Sequence, residues 1–523
     1  MEQTKLHKIQ IYQFKDFDFD AFYEQYINEI TPHEVIDPDT LSVFRPAKTM
    51  MTIAKSGAKD KTIIENKCRY LQDLVIRSGN RKDDDRTFSL NAEILKSIIG
   101  KEYKTMLELL VKMGYIELGD SKGGEGEHFY HKKGEYSTLY TLNDEKDVYL
   151  TPPFINLKIQ EYKEKAIEEL ERWHDTYTKQ PIIDLYGEDF YTSYLKSLNK
   201  IKIVDEQGLK DYIQQRIVEV KEKRIAEGKK ESNQASLFYD YLYRELKTTH
   251  KTIYRIDDSH RIYHVLTNTK NEAKHYLNID MSFDCRNSHP LLFNYFIFNK
   301  LNISLYKSYN ISLYLKSIDI LFPFSSSNTS FHNVGQYLRK LLNDNNIENE
   351  EIAKMKDDEL EYIYKTTKGM FWDEINEKHP DMDRKDIKET LFGAVFYTKN
   401  PSNHKRDEWA KDFKKQYPSV YEKISSWKSV KNRDEVVGFM DAHHWATDKG
   451  SKSLSIAMMS LEAEIFTTIL KRLYSKRWNA IHIHDCIVIP KTSNKNQPTK
   501  EEVLAIMENV YRSYGLAPTF ACK

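Results

Sequence analysis

The run YLNIDMSFD (276–284) alternates strictly, with Leu277, Ile279, Met281 and Phe283 on one side and Asn278, Asp280, Ser282 and Asp284 on the other. Period two is the signature of a strand with one apolar and one polar face, so this segment must lie in a sheet whose polar face meets a cleft or solvent. Two carboxylates share that polar face. Asp280 and Asp284 are separated by about 13 Å at ~3.3 Å per residue, too far to serve one metal cluster. The helix-like run HPLLFNYFIF begins just after Asp284, and side chains at strand ends reach clefts more readily than those in the middle, so Asp284 is the candidate.

A second strand-end carboxylate comes from WNAIHIHDCIVIP (478–490), two apolar β-like runs joined at His484 and Asp485 as in a tight hairpin. Two aspartates brought together in adjacent strands can hold a pair of divalent ions roughly 4 Å apart, an arrangement that activates an attacking hydroxyl and stabilises a leaving pyrophosphate. The third element is MDRKDIKETLFGAVFYTKN (382–400), read as a helix with Arg384, Lys388, Phe392 and Phe396 at intervals of four. That spacing aligns them on one face, two cations followed by two rings. The cations suit a triphosphate, Arg384 through a bidentate fork and Lys388 as a point charge, and the rings suit a base or sugar.

Composition limits the rest. The 79 basic and 79 acidic side chains cancel, so any nucleic-acid contact must come from a local patch. No stretch approaches the roughly 18 apolar residues of a membrane span, and the start lacks a signal-peptide core, which gives a cytoplasmic expectation and no membrane partner. Cys68, Cys285, Cys486 and Cys522 show neither CxxC pairing nor metal-ligand spacing. The alternation of a strand explains His482 and His484 without zinc.

The fold class expected is α+β in three parts. Residues 1–150 form an N-terminal domain whose stretch from about 87 to 143 reads as a winged helix. Met106, Leu107, Leu110 and Met113 share a helical face, Gly114 stops the helix, and YIEL (115–118) and STLYTL (137–142) are strands around the polar loop 121–134. Such a module binds duplex DNA, with Lys101, Lys104 and Lys112 as its positive charge, or serves a protein contact. Residues 151–253 are charged and helix-periodic, and residues 254–523 mix short strands with helices.

In their order, the three chemical blocks resemble motifs A, B and C of family A DNA polymerases and the related single-subunit phage-type RNA polymerases. Arg384, Lys388, Phe392 and Gly393 match the RxxxKxxxFG core of motif B; His484 and Asp485 match the HD of motif C; DCRNSHP (284–290) is similar to motif A. DDSHRIYHVLTN (257–268) resembles the T/DxxGR block that contacts the template–primer backbone, with Asp257 and Arg261 in place and His260 where the family has Gly. FKKQYPSVYEKI (413–424), SIAMMSLEAEIFTTIL (455–470) and GLAPTFACK (515–523) are similar to the flanking segments, so the resemblance spans 254–523.

The resemblance implies a right-hand palm and fingers at 254–523, a thumb at 151–253, and a template-directed nucleotidyltransferase using two Mg²⁺ ions, with Mn²⁺ as a substitute. Asp284 and Asp485 would be catalytic and metal-binding; Arg384, Lys388, Phe392, Phe396 and His289 would bind the nucleotide. Arg261 and His484 would hold primer and template, and Glu462 is a possible further polar contact. His289 stands where DNA polymerases carry the Glu that closes the pocket against a 2′-hydroxyl, and Phe396 and Tyr397 replace the Tyr and Gly of motif B. The ring pair Phe392 and Phe396 favours deoxynucleotides, whereas His289 can block or hydrogen-bond a 2′-hydroxyl. Nothing resembles the carboxylate set of a proofreading exonuclease. Two other readings stand beside a DNA polymerase: an RNA polymerase or primase, and a catalytically silent, replication-initiator-like DNA-binding protein.

Overall fold

The computed structural model describes residues 9–30, 35–36, 43–44, 60–79, 87–90, 92–118, 139–143, 146–226, 234–318, 332–347, 349–397, 404–428, 433–443, 445, 453–492 and 497–523. It is mostly helical with small antiparallel sheets, α+β in character. Packing divides the chain into two units: Met1–Thr176 with Asp205–Thr248, and Tyr177–Val204 with Thr249–Lys523. The charged stretch 151–253 is helical as its periodicity requires, and it contributes helices to both units.

In the first unit, β1 (Tyr12–Phe14) pairs with β7 (Val148–Leu150), and β2 (Val35–Ile36) with β3 (Val43–Phe44). The Lys61–Gly79 helix buries Ile64, Cys68, Leu71 and Val75, spaced four, three and four residues apart along one face. β4 (Thr87–Ser89) follows, then the helices Ala92–Ile98 and Tyr103–Lys112, then β5 (Ile116–Leu118) and β6 (Leu139–Leu142). The three strands form one antiparallel sheet in the order β4-β6-β5.

Met106, Leu107 and Leu110 face the core, and Met113 packs against it. Gly114 ends the helix with φ +71°, a left-handed position that most side chains resist, and its carbonyl accepts from Asn143 Nδ2 at 2.7 Å. Lys101 and Lys104 are exposed, while Lys112 pairs with Glu29. The loop 121–134 and residues 137–138 lie outside the described residues. The helices Glu206–Ala226 and Gln234–Lys247 pack on each other, and Arg244 Nη2 donates to the Tyr12 hydroxyl at 2.9 Å.

The second unit is built on a four-stranded antiparallel sheet and a hairpin. The hairpin is β8 (Ile253–Ile256) with β9 (Ile262–His264). The sheet comprises β10 (Ile279–Cys285), β11 (Ile481–Ile483), β12 (Cys486–Pro490) and β13 (Phe520–Cys522), in the order β11-β12-β10-β13. Helices Ser288–Lys300 and Ser453–Ser475 pack on each other, their apolar sides supplying Leu291, Leu292, Phe296, Leu461, Ile465 and Phe466 to a core from which water is excluded. Among the described residues, no helix is long and apolar enough to cross a membrane, and the four cysteines are free thiols.

Candidate active site

The alternation in 277–284 is realised as β10, with Phe283 buried and Asp280 and Asp284 exposed. The β10–β12 ladder is irregular between Ile279 and Met281, where Asp280 sits, and regular from Met281 to Asp284, which stands opposite Cys486. Asp284 is therefore held by paired backbone on both sides, since it also faces Ala521 of β13. Ile483 pairs with Cys486, leaving His484 and Asp485 as a two-residue turn. His484 has φ +55°, the left-handed conformation that lets so short a turn reverse the chain. The N–H of Cys285 donates to the carbonyl of Asp485 at 3.0 Å, so the two aspartates occupy adjacent strand ends.

Their electrostatics follow. Burial and the nearby charges of Glu462 and Asp284 push the Asp485 carboxyl up from its ordinary value. The Asp284 carboxyl keeps contact with solvent, yet the surrounding walls strip part of its hydration and raise its pKa, offset by Lys388, Lys523, Lys274 and Arg286. Burial lowers the pKa of Lys388, as does the like charge of Arg384, while Asp485, Asp284 and Asp373 oppose the shift. Lys274, just before β10, is lowered by burial and held up by Cys486, Asp485 and Asp284. The carboxylate pair thus lies within the electrostatic reach of Lys274 and Lys388.

The cationic helix spans Arg384–Leu391, capped by Asp383, whose side chain accepts from the Lys385 N–H at 2.7 Å. Residues Phe392–Tyr397 continue as a π-helical turn rather than as the α-helix expected to 400, and 398–400 lie outside the described residues. The wider i→i+5 turn changes the phase of the stripe. Phe396 is consequently fully buried against Phe293, Phe392 and Phe413, with ring centroids 5.9, 5.6 and 6.0 Å away. Phe396, expected at the nucleotide, packs behind Phe392 in this structure. Phe392 remains half-buried, edge-on to His289 at 5.6 Å and to Trp372 at 5.0 Å.

Arg261 and His289 meet at Glu462. The β8–β9 turn is closed by Asp257, whose Oδ1 accepts from the N–H groups of Ser259 and Arg261 at 3.0 and 3.1 Å. His260 has φ +64°, the conformation a glycine would adopt there without strain. Arg261 Nη2 donates to Glu462 Oε2 and lies 3.0 Å from His289 Nε2. Ser288 Oγ donates to Glu462 Oε1 at 3.0 Å, and His289 Nε2 is 3.4 Å from the same oxygen. Burial would raise the Glu462 carboxyl, but Arg261, His289 and Ser288 overcome it and hold the group well below the carboxylate range.

His484 stacks edge-on to Tyr263 at 6.1 Å, and burial lowers its pKa. His482 is buried beside Tyr194, whose hydroxyl is 3.3 Å from Nδ1, and burial pushes its pKa down to about 3, so it stays neutral. Among the described residues no group of three or more His, Cys, Asp or Glu is arranged to hold a metal. The donors that fit divalent ions are the two aspartates, whose mutual repulsion a cation would relieve.

Sequence reasoning missed Ser288, Lys274, Trp372 and Asp373. Trp372 and Asp373, in the Phe371–Lys378 helix, brace the cations: the Lys388 ammonium lies 5.7 Å from the Trp372 ring and Arg384 Nη2 is 2.9 Å from Asp373 Oδ1. Nothing in the local pattern FWDEINEK marks them, since their role depends on how two helices pack. The chain matches no protein-family model, and no curated protein is significantly similar to it.

Proposed function

We propose that residues 254–523, within the second unit, form the palm and fingers of a template-directed nucleotidyltransferase, a DNA polymerase without proofreading that resembles family A. The observation that carries this reading is convergence. Arg261, His289 and Glu462 are directly linked, and Asp284, Asp485 and Lys388 interact electrostatically, although these residues come from sequence blocks up to 224 positions apart. Each type alone is common at strand ends or on helix surfaces. Together they supply a metal-binding pair, a triphosphate grip and an aromatic wall.

In this mechanism the primer 3′-hydroxyl attacks the α-phosphorus of a nucleoside triphosphate, forming a phosphodiester and releasing pyrophosphate. Arg384 and Lys388 hold the triphosphate oxygens and neutralise charge developing on the leaving group. The triphosphate would draw Arg384 from its exposed pairing with Asp373, a contact weak enough to exchange. Asp284 and Asp485 would hold two Mg²⁺ ions, which when bound lower the pKa of the hydroxyl and stabilise pyrophosphate. His289 and Phe392 would flank the sugar. Arg261 and His484 would position the primer end and template.

The first unit's order of helix, strand, two helices and two strands fits a winged helix. We read it as a duplex-binding module in which Lys101 and Lys104 face phosphate, and Lys112 is engaged by Glu29. The helices of 151–253 would include the thumb.

The test is incubation of purified protein and Mg²⁺ with primed and unprimed DNA templates, each with dNTPs or NTPs. Complementary extension of the primer by dNTPs supports the proposal. Synthesis on unprimed template with NTPs alone would assign a primase or RNA polymerase instead. No synthesis under any condition, with duplex binding retained, would favour the catalytically silent DNA-binding reading.

A further inference from the structure

Resting on the nucleotidyltransferase reading, we propose that Glu462 determines the choice of sugar by holding His289 and Arg261 as one rigid unit beside the nucleotide. Glu462 is only 2% exposed, in a helix whose neighbouring positions Leu461, Ala463 and Ile465 are apolar core. A carboxylate is kept so far from water only where charge and hydrogen bonds compensate it. Its compensation comes from two other places in the chain: Arg261, after the β8–β9 turn, and Ser288 with His289, at the start of the helix following Asp284.

The consequence falls on His289. Its Nε2 lies 3.0 Å from Arg261 Nη2 and 3.4 Å from Glu462 Oε1, accepting from the first or donating to the second according to its tautomer, while its ring meets Phe392 edge-on at 5.6 Å. Phe392 cannot retreat, because Trp372 and Phe396 back it at 5.0 and 5.6 Å. An imidazole gripped at its polar end and packed along its apolar edge cannot swing aside for an additional hydroxyl. With Arg384 and Lys388 on the phosphates, the sugar comes against this ring, so the clamp excludes a 2′-hydroxyl. Glu462 touches no substrate and is a positioning residue. Glutamine at 462 would keep the shape but lose the charge that fixes Arg261, and the ring would loosen.

The experiment is single-nucleotide primer extension with matched dNTP and rNTP, comparing kcat/KM for the wild type, Glu462→Gln, Glu462→Asp, His289→Ala and the Glu462→Gln/His289→Ala pair. Wild type should prefer dNTP. Glu462→Gln and His289→Ala should each increase relative ribonucleotide use by about 10-fold or more, and the pair should add little beyond either change alone. Glu462→Asp, which keeps the charge, should lie nearer the wild type and serves as the comparison if Glu462→Gln does not fold. An unchanged sugar ratio in both Glu462 variants, or a wild-type preference for rNTP, overturns the inference while leaving polymerase activity standing. Failure of the wild type to add either nucleotide overturns the nucleotidyltransferase reading itself, and the sugar clamp with it.

Discussion

The backbone N–H of Cys285 donates to the carbonyl of Asp485 at 3.0 Å, and this bond joins the end of β10 to the His484–Asp485 turn. Through it, two aspartates 201 positions apart in sequence are held at neighbouring strand ends. If they form a metal pair, Asp284→Asn and Asp485→Asn should each lower primer extension by roughly 10³-fold or more. Asp280→Asn, at the irregular part of the ladder, should leave it within about threefold; steady-state rates with purified variants decide this.

The raised carboxyl of Asp485 has a stability consequence. Its folded pKa lies above the unfolded value, so the folded state binds the proton more tightly and metal-free stability falls as pH rises from the unfolded pKa through the folded one. Asp485→Asn should therefore stabilise the metal-free protein at pH ~8 by about 1–2 kcal/mol, with the gain shrinking as pH falls towards ~4. Denaturant unfolding at both pH values measures it. Added Mg²⁺ should narrow the difference, because only the wild type gains from binding.

Phe392 and Phe396 should separate function from folding. Phe396 is fully buried, so Phe396→Ala should cost about 3–5 kcal/mol of stability. Phe392, half-buried beside His289, should on replacement by Ala raise KM for the nucleotide with a smaller loss of stability. Thermal unfolding and nucleotide kinetics on the two variants make the comparison.

At His260 the backbone takes a left-handed conformation that disfavours most side chains. His260→Gly should be neutral or stabilising by up to about 1 kcal/mol, whereas the β-branched His260→Val should destabilise by more than 1 kcal/mol, as measured by denaturant midpoints.

What was legible in the sequence was what short-range pattern dictates. Alternation marked β10, the apolar runs around His484–Asp485 marked a hairpin, and the stripe Met106, Leu107, Leu110 marked a buried helix face. The stripe Arg384 to Phe396 departs from the expected α-helix at its end, where a π turn, invisible to a count of four, accompanies the burial of Phe396. Glu462 stood out in the sequence only as a further polar contact without partners; the tertiary structure brings Arg261 and Ser288 to it. Likewise the packing of Trp372 and Asp373 against the cationic helix, and the division of 151–253 between two units, depend on contacts that no local periodicity encodes.

The most direct measurement is a crystal structure of the protein with Mg²⁺, primed DNA and a non-hydrolysable deoxynucleoside triphosphate. The expected result is two ions shared by Asp284 and Asp485, with the triphosphate on Arg384 and Lys388 and the sugar against His289. Ions bound at Asp280, or a nucleotide bound away from Lys388, would contradict the account.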